Sequence, residues 1–342
     1  MQEIFIKYNS SQELTVYAID FISLLEMLNK RTIAVVIPAL NEEKQIGSVI
    51  DAIPSFVDHI VVVDDGSSDR TVEVAAQKGV KIVSHKSNRG VGAALGTGVK
   101  TVLGMEVDVM VNIDADGQFD PADIEKLLQP ILEGQADFVT ASRFIDKAYK
   151  PKMPRVKYWG NKLMSRFISR LTRQKFYDVS CGFRAYSRLT LQRLNLFGEF
   201  TYTQETFIDL AFKGLAIEEV PVHVRGSREH GKSRVASNLF RYGMQTLNII
   251  IRTFRDNKPF RLFGAMSFVM FLLGLGFAVF LGIHYLKTGF FTPHKWAGFT
   301  AGFFFVVSLI LLLIGFVLDM FARMRRNQEE ILFQLKRDRD NV

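Results

Sequence analysis

The chain has 342 residues, a formal charge of +8 and one cysteine, Cys181. That length suits one large domain with an appendage. A lone thiol excludes an intramolecular disulfide framework and suits a reducing compartment. The basic excess comes with no helix-turn-helix, zinc-finger or RNA-binding signature, so no nucleic-acid partner is expected. A membrane surface or a phosphate-bearing substrate would use the same charge.

Residues 1–30 form an extension with no basic stretch leading into a clean apolar core, so no signal peptide is expected. Residues 32–37 are a β-branched run, the mark of a buried parallel strand, ended by Pro38-Ala-Leu-Asn-Glu42. A helix is predicted over 46–53, with Glu42 and Glu43 at its start. Residues 60–63 read as a second buried strand, stopping at Asp64-Asp-Gly-Ser-Ser-Asp69, and a helix follows over 71–78. A third strand, 82–84, leads into the glycine-rich stretch 88–98. That stretch lacks the G-x-G-x-x-G order and follows the third strand rather than the first, so close helix packing explains its glycines better than a dinucleotide loop. Alternating strands and helices imply a doubly wound, mostly parallel sheet, whose ligands bind beyond the carboxyl ends of the strands.

A strand over 108–113 then runs into Asp114-Ala-Asp-Gly-Gln118. Alternation along a strand lets Asp114 and Asp116 face one point beyond its end. Gly117 permits a sharp turn, and Gln118 adds a neutral oxygen. Two carboxylates and an amide oxygen make a partial cage for Mg2+ or Mn2+. The alternative is a polar strand-to-helix turn capped by Asp120 or Asp123. Further strands are predicted over 138–141 and 217–224, and helices over 158–172 and 203–213. Two basic loops, 150–157 and 225–234, frame the acidic turn, as a diphosphate substrate and a second anionic substrate would require.

Residues 237–254 carry an apolar helical stripe with Arg241, Arg252 and Arg255 off it, which reads as a basic interfacial helix. Two apolar runs follow, between Arg261 and Lys287 and between Lys295 and Asp319. Each exceeds the roughly 20 residues that cross a hydrocarbon core of about 30 Å. Arg252, Arg255, Lys258 and Arg261 flank one side and Arg323, Arg325 and Arg326 the other. The positive-inside rule then predicts an integral membrane protein with the catalytic domain and both termini in the cytoplasm. The expected organisation is an extension (1–30), an α/β domain (31–236), an interfacial helix (237–258), two transmembrane helices (259–320) and a charged tail (321–342).

Taken in order, Pro38-Ala-Leu-Asn-Glu42, Val62-Val-Asp-Asp-Gly-Ser-Ser-Asp69, Asn88-Arg-Gly90, Asp114-Ala-Asp-Gly-Gln118, Ser142-Arg143, Ser180-Cys-Gly-Phe-Arg184 and the loop carrying Arg228, Gly231, Ser233 and Arg234 resemble the family 2 glycosyltransferases. More narrowly, they resemble the dolichol-phosphate mannose or glucose synthase group. The resemblance implies a GT-A type α/β domain. It implies a nucleotide-sugar pocket lined by Pro38, Ala39, Glu42, Val63 and Asp65, with Asp65 facing the base. Asp114, Asp116 and Gln118 would hold the metal on the donor diphosphate. Arg143, Arg155 and Arg228 would contact donor or acceptor phosphate, with Ser233 nearby and Asp116 and Arg228 at the chemistry. Arg234 stands where the family usually has Lys, a change of reach and geometry.

The implied reaction is a metal-dependent, inverting transfer of a hexose from GDP-mannose, UDP-glucose or UDP-N-acetylglucosamine to a membrane polyprenyl phosphate. Alternatives are transfer to a hydroxyl lipid with Glu205 or Asp209 as base, and a non-catalytic membrane scaffold. A processive polysaccharide synthase is disfavoured by two spans and no Q-x-x-R-W motif. A homo-oligomer is open, since two-helix membrane segments often associate.

Overall fold

The computed structural model describes residues 30–151, 153, 155–194, 202–225, 255 and 259–340. The expected extension up to residue 29, nearly all of the interfacial helix, and Arg228, Ser233 and Arg234 lie outside the described residues. The chain divides into an α/β unit within residues 1–235 and a helical unit, residues 236–338.

In the first unit the elements run β1 (Ile33–Ala39), α1 (Ile46–Asp51), β2 (His59–Asp64), α2 (Thr71–Gln77), β3 (Lys81–Ser84), α3 (Val91–Leu103), β4 (Val109–Asn112), α4 (Ile124–Leu132), β5 (Phe138–Ser142), α5 (Arg155–Thr172), β6 (Arg184–Ser187), α6 (Arg188–Arg193), α7 (Tyr202–Phe212) and β7 (Ile217–Pro221). The strands form one sheet in the order β3-β2-β1-β4-β6-β5-β7. All pairings are parallel except those of β6, which runs antiparallel between β4 and β5.

β1 shows why the sheet is buried on both faces. Its side chains alternate between two cores. Ile33, Val35 and Ile37 pack with Ile46, Val49, Ile124 and Leu127. Ala34 and Val36 pack on the other face with Leu95, Val99, Met164, Ile168 and Phe207. Gly98 of α3 serves this contact. A Cβ on Gly98 would sit 2.4 Å from Val36 Cγ1, so only glycine lets α3 lie that close to β1.

The second unit contains α8 (Pro259–Thr288) and α9 (Lys295–Asp340). Both are long and apolar enough to cross a membrane. They pack against each other. Ser267 Oγ donates to Ser308 O at 2.8 Å, and Ser308 Oγ donates to Ser267 O at 2.9 Å. A Cβ on Gly274 would meet the Phe305 ring at 3.0 Å. α9 continues without a break past residue 320, so the last span and the charged tail are one helix.

Candidate active site

The site is set by where the sheet parts. From β1 the chain builds β2 and β3 on one side, then crosses to place β4 on the other. The crevice between the carboxyl ends of β1 and β4 is therefore the switch point of the fold. The β1–β4 register ends at Val36↔Asn112, whereas β1–β2 continues to Ala39↔Asp64. Val36 O still accepts from Ile113 N at 3.1 Å. Pro38, two residues on, turns to the same neighbour with no N–H to offer. The ladder stops there, and the loops after β1 and β4 diverge.

Asp114 and Asp116 follow β4 directly into this gap. Asp114 is half-buried and Asp116 is 6% exposed. Gly117 has φ +68°, the left-handed turn that glycine adopts without a Cβ clash. The turn lets Gln118 N donate to Asp116 Oδ1 at 3.1 Å. Gln118 also pins the segment after β7. Its carbonyl accepts from Arg225 N at 3.0 Å, and its Nε2 donates to Arg225 O at 3.2 Å. The start of the second basic loop is thereby fastened to the Asp-x-Asp turn. The donor set is all oxygen and carries two negative charges, which fits a hard divalent cation that takes its remaining ligands from phosphate and water. Among the described residues no cluster of three or more carboxylate, histidine or cysteine ligands forms.

The loops after β1 and β2 interlock beside this turn. Asn41 N donates to Ser67 Oγ at 2.9 Å, and Asn41 Oδ1 accepts from Ser68 N at 2.7 Å. Glu42 is half-buried, and its N–H donates to Thr71 Oγ1 at 2.8 Å. Arg70 N donates to Glu43 Oε2 at 3.1 Å. Pro38 is half-buried and Ala39 is buried. The Val63 side chain lies wholly in the core, so what it offers a ligand at this edge is main chain.

Asp65 is buried and already engaged. It accepts from Arg89 N at 2.9 Å and Gly90 N at 2.8 Å, and His85 Nδ1 lies 2.7 Å from its Oδ1. His85 Nε2 is 2.8 Å from Thr97 Oγ1. A carboxylate has roughly four acceptor positions, so Asp65 anchors the Asn88-Arg-Gly90 turn and keeps about one position for a ligand. His85 was not singled out from the sequence, although it follows β3 directly at the same sheet edge as the other candidate residues.

Arg143, at the end of β5, faces Asp178 instead of open crevice. Its Nε donates to Asp178 Oδ2 at 2.6 Å and its Nη2 to Asp178 Oδ1 at 2.9 Å and Ser180 Oγ at 2.7 Å. Burial alone would raise the Asp178 carboxyl, but the Arg143 charge and hydrogen bonds from Arg143, Asn161 and Ser180 hold it below the usual carboxylate range. Glu219 in β7 completes the cluster, accepting from Tyr177 N and Asp178 N at 2.7 Å each. Burial pushes its carboxyl up to about 7, against those two donors. Arg155 opens α5, three residues earlier than the helix predicted from the sequence.

The family model described as Glycosyl transferase family 2 matches residues 34–194. A Methanococcus voltae protein named UDP-N-acetylglucosamine–dolichyl-phosphate N-acetylglucosaminyltransferase is 33% identical over 183 residues, 48% of this chain and 73% of that one. The chain belongs to glycosyl transferase family 2. This glycosyltransferase is also 30% identical over 228 residues to the polyprenol monophosphomannose synthase of Mycolicibacterium smegmatis, covering 61% of this chain and 83% of that one. Among solved structures it is similar to glucosyl-3-phosphoglycerate synthase from Mycobacterium tuberculosis in complex with Mn2+, UDP and glucosyl-3-phosphoglycerate. There the TM-score is 0.52 at 27% identity, over 67% of this chain and 82% of that one. The GT-A type sheet expected from the motifs is the sheet found.

Proposed function

We propose that this glycosyltransferase moves a hexose from a nucleotide-sugar to the phosphate of a membrane polyprenol, with inversion at the anomeric carbon. The observation that carries the reading is the joining, in one chain, of an Asp114/Asp116 turn at the β1–β4 crevice with a pair of apolar helices long enough to span a bilayer. The two relatives named for dolichyl-phosphate and polyprenol substrates support the same acceptor class.

Asp114 and Asp116, with the Gln118 amide oxygen, would hold Mg2+ or Mn2+; a solved relative contains Mn2+. A bound cation of this kind supplies Lewis-acid stabilisation of the charge growing on the departing nucleoside diphosphate. Pro38, Ala39, Glu42 and the Val63 main chain would receive the nucleoside, and the remaining acceptor position of Asp65 would face the base. Arg143, Arg155 and Arg228, with Ser233, would meet phosphate. The bond from the anomeric carbon to the diphosphate oxygen breaks as one from the polyprenyl phosphate oxygen forms. A phosphate monoester has a second pKa of roughly 6, so the nucleophile is already ionised near neutral pH and needs no strong base. The positive flanks of the two spans favour a cytoplasmic catalytic domain.

The hydroxyl-acceptor alternative needs a carboxylate base. Asp209 is held in an ion pair with Lys213 at 2.8 Å, which makes it a poor base and weakens that reading. The test offers purified full-length protein, in detergent with Mn2+ and a short polyprenyl phosphate, labelled GDP-mannose, UDP-glucose and UDP-N-acetylglucosamine in parallel. Label should enter the organic phase from one donor as a β-linked product and be lost with Asp116→Ala. At least about a 100-fold fall in kcat is expected for removing a ligand to a Lewis acid worth several kcal/mol. An α-linked product, or transfer only to a hydroxyl lipid, would overturn the reading.

A further inference from the structure

Helix α5 has two faces that do not match in purpose. Asn161, Met164, Ser165 and Ile168 are buried against the domain. On the opposite side, Trp159, Leu163, Arg166 and Arg170 fall within a stripe of about 60° at 3.6 residues per turn. All four are exposed. Trp159 retains 60% of its surface and Leu163 67%, unusual for two large apolar side chains one turn apart on a domain helix. Lys162 Nζ lies 5.3 Å from the Trp159 ring centroid, and Lys150 Nζ lies 3.8 Å from that of Tyr158. Residues 147–177 contain no aspartate or glutamate. Arg173 and Lys175, just past the helix, are also exposed.

An exposed tryptophan and leucine followed by arginines on one helix face is the pattern of a segment lying in a lipid interface. The ring settles at headgroup depth, and the cations meet lipid phosphate. Nucleic acid would use the charge but leave the Trp159–Leu163 pair without a purpose. A protein carrying its own membrane spans works at a lipid surface throughout its life. We propose that this face of α5 rests on an anionic bilayer surface, with Trp159 and Leu163 entering the headgroup region and Arg166 and Arg170 pairing with lipid phosphates. The contact concerns where the domain rests, not which sugar it transfers, and it is separate from the two spanning helices.

The chain has two tryptophans, so Trp296→Phe leaves Trp159 as the only one. The full-length variant is placed in bicelles of phosphatidylcholine, with or without phosphatidylglycerol, and with or without brominated acyl chains. Trp159 emission should shift to the blue, be quenched by bromolipid and be shielded from acrylamide, more strongly with phosphatidylglycerol present. Arg166→Gln with Arg170→Gln should reduce the lipid-contacting population by roughly a factor of thirty, the scale of two lost surface arginines. If Trp296→Phe does not fold, subtracting the emission of Trp159→Phe from that of the unmodified chain gives the same signal. Trp159 open to acrylamide and untouched by bromolipid would overturn the proposal. So would shielding from acrylamide without bromolipid quenching, which would put protein on this face. The readout needs neither donor nor acceptor, so it stands or falls separately from the transfer assay.

Discussion

Arg143 grips both oxygens of Asp178, with contacts of 2.6 Å from Nε and 2.9 Å from Nη2. Asp178 is completely buried, and the Arg143 side chain keeps 18% of its surface. The pair ties the end of β5 to the turn before β6, beside the candidate active site. Removing one partner strands the other in a poorly solvated place. Asp178→Ala should cost about 3 kcal/mol, the low end for a broken buried pair because Arg143 retains some solvent. That is a fall in Tm of roughly 10 °C for a domain of this size. Replacing both residues with leucine should recover part of the loss. An unchanged Tm for Asp178→Ala would show that the pair does not hold the two segments together. Because the folded carboxyl lies below its ordinary value, this stability is fully present at neutral pH and is lost only as pH falls below the usual aspartate range.

Glu219 gives the opposite pH dependence. The unfolded chain releases its proton near 4.5 and the folded chain near 7. Between those values the folded state holds more protons, so stability falls as pH rises across that window and is level above it. Glu219→Gln should flatten the decline in Tm between pH 5 and 7, read by thermal denaturation of the full chain in detergent. A parallel slope in the variant would assign the pH dependence to another group.

Gly98 tests the α3–β1 contact. Its added Cβ would fall 2.4 Å from Val36 Cγ1, so Gly98→Ala must lift the helix or move the strand. A cost of about 1–3 kcal/mol is expected for such overpacking. Gly96 lies in the same helix with nothing within 4 Å of a new Cβ. Gly96→Ala should be neutral or stabilising by about 0.5–1 kcal/mol. Equal effects from the two substitutions would show that helix propensity, and not packing, decides both.

The reciprocal Ser267–Ser308 bonds sit inside the apolar helix pair. Alanine at both positions keeps the close approach and removes only the hydrogen bonds. Interhelical bonds of this kind average about 0.6 kcal/mol each in a membrane protein, so the double variant should lose roughly 1 kcal/mol in an SDS unfolding titration. A much larger loss would mean that the serines also set the packing distance.

Local pattern determined a great deal here. β-branched runs ending in Pro38, Asp64 and Asp114 marked three parallel strands and the sheet edge at which a ligand binds, because buried strands must be apolar and their ends must turn. Unbroken apolar length marked α8 and α9 for the same kind of reason. The sequence did not reveal β6. Its four residues follow a polar turn, and its antiparallel place between β4 and β5 comes from pairing with strands more than 40 residues away. Nor did it reveal that Asp65 is largely occupied by His85, Arg89 and Gly90, or that Arg143 belongs to Asp178 and Glu219 stands behind them both. Those relationships join charges from separate stretches of chain. Which partner a buried charge takes is decided by the low-dielectric space that folding creates around it, and no local spacing encodes that.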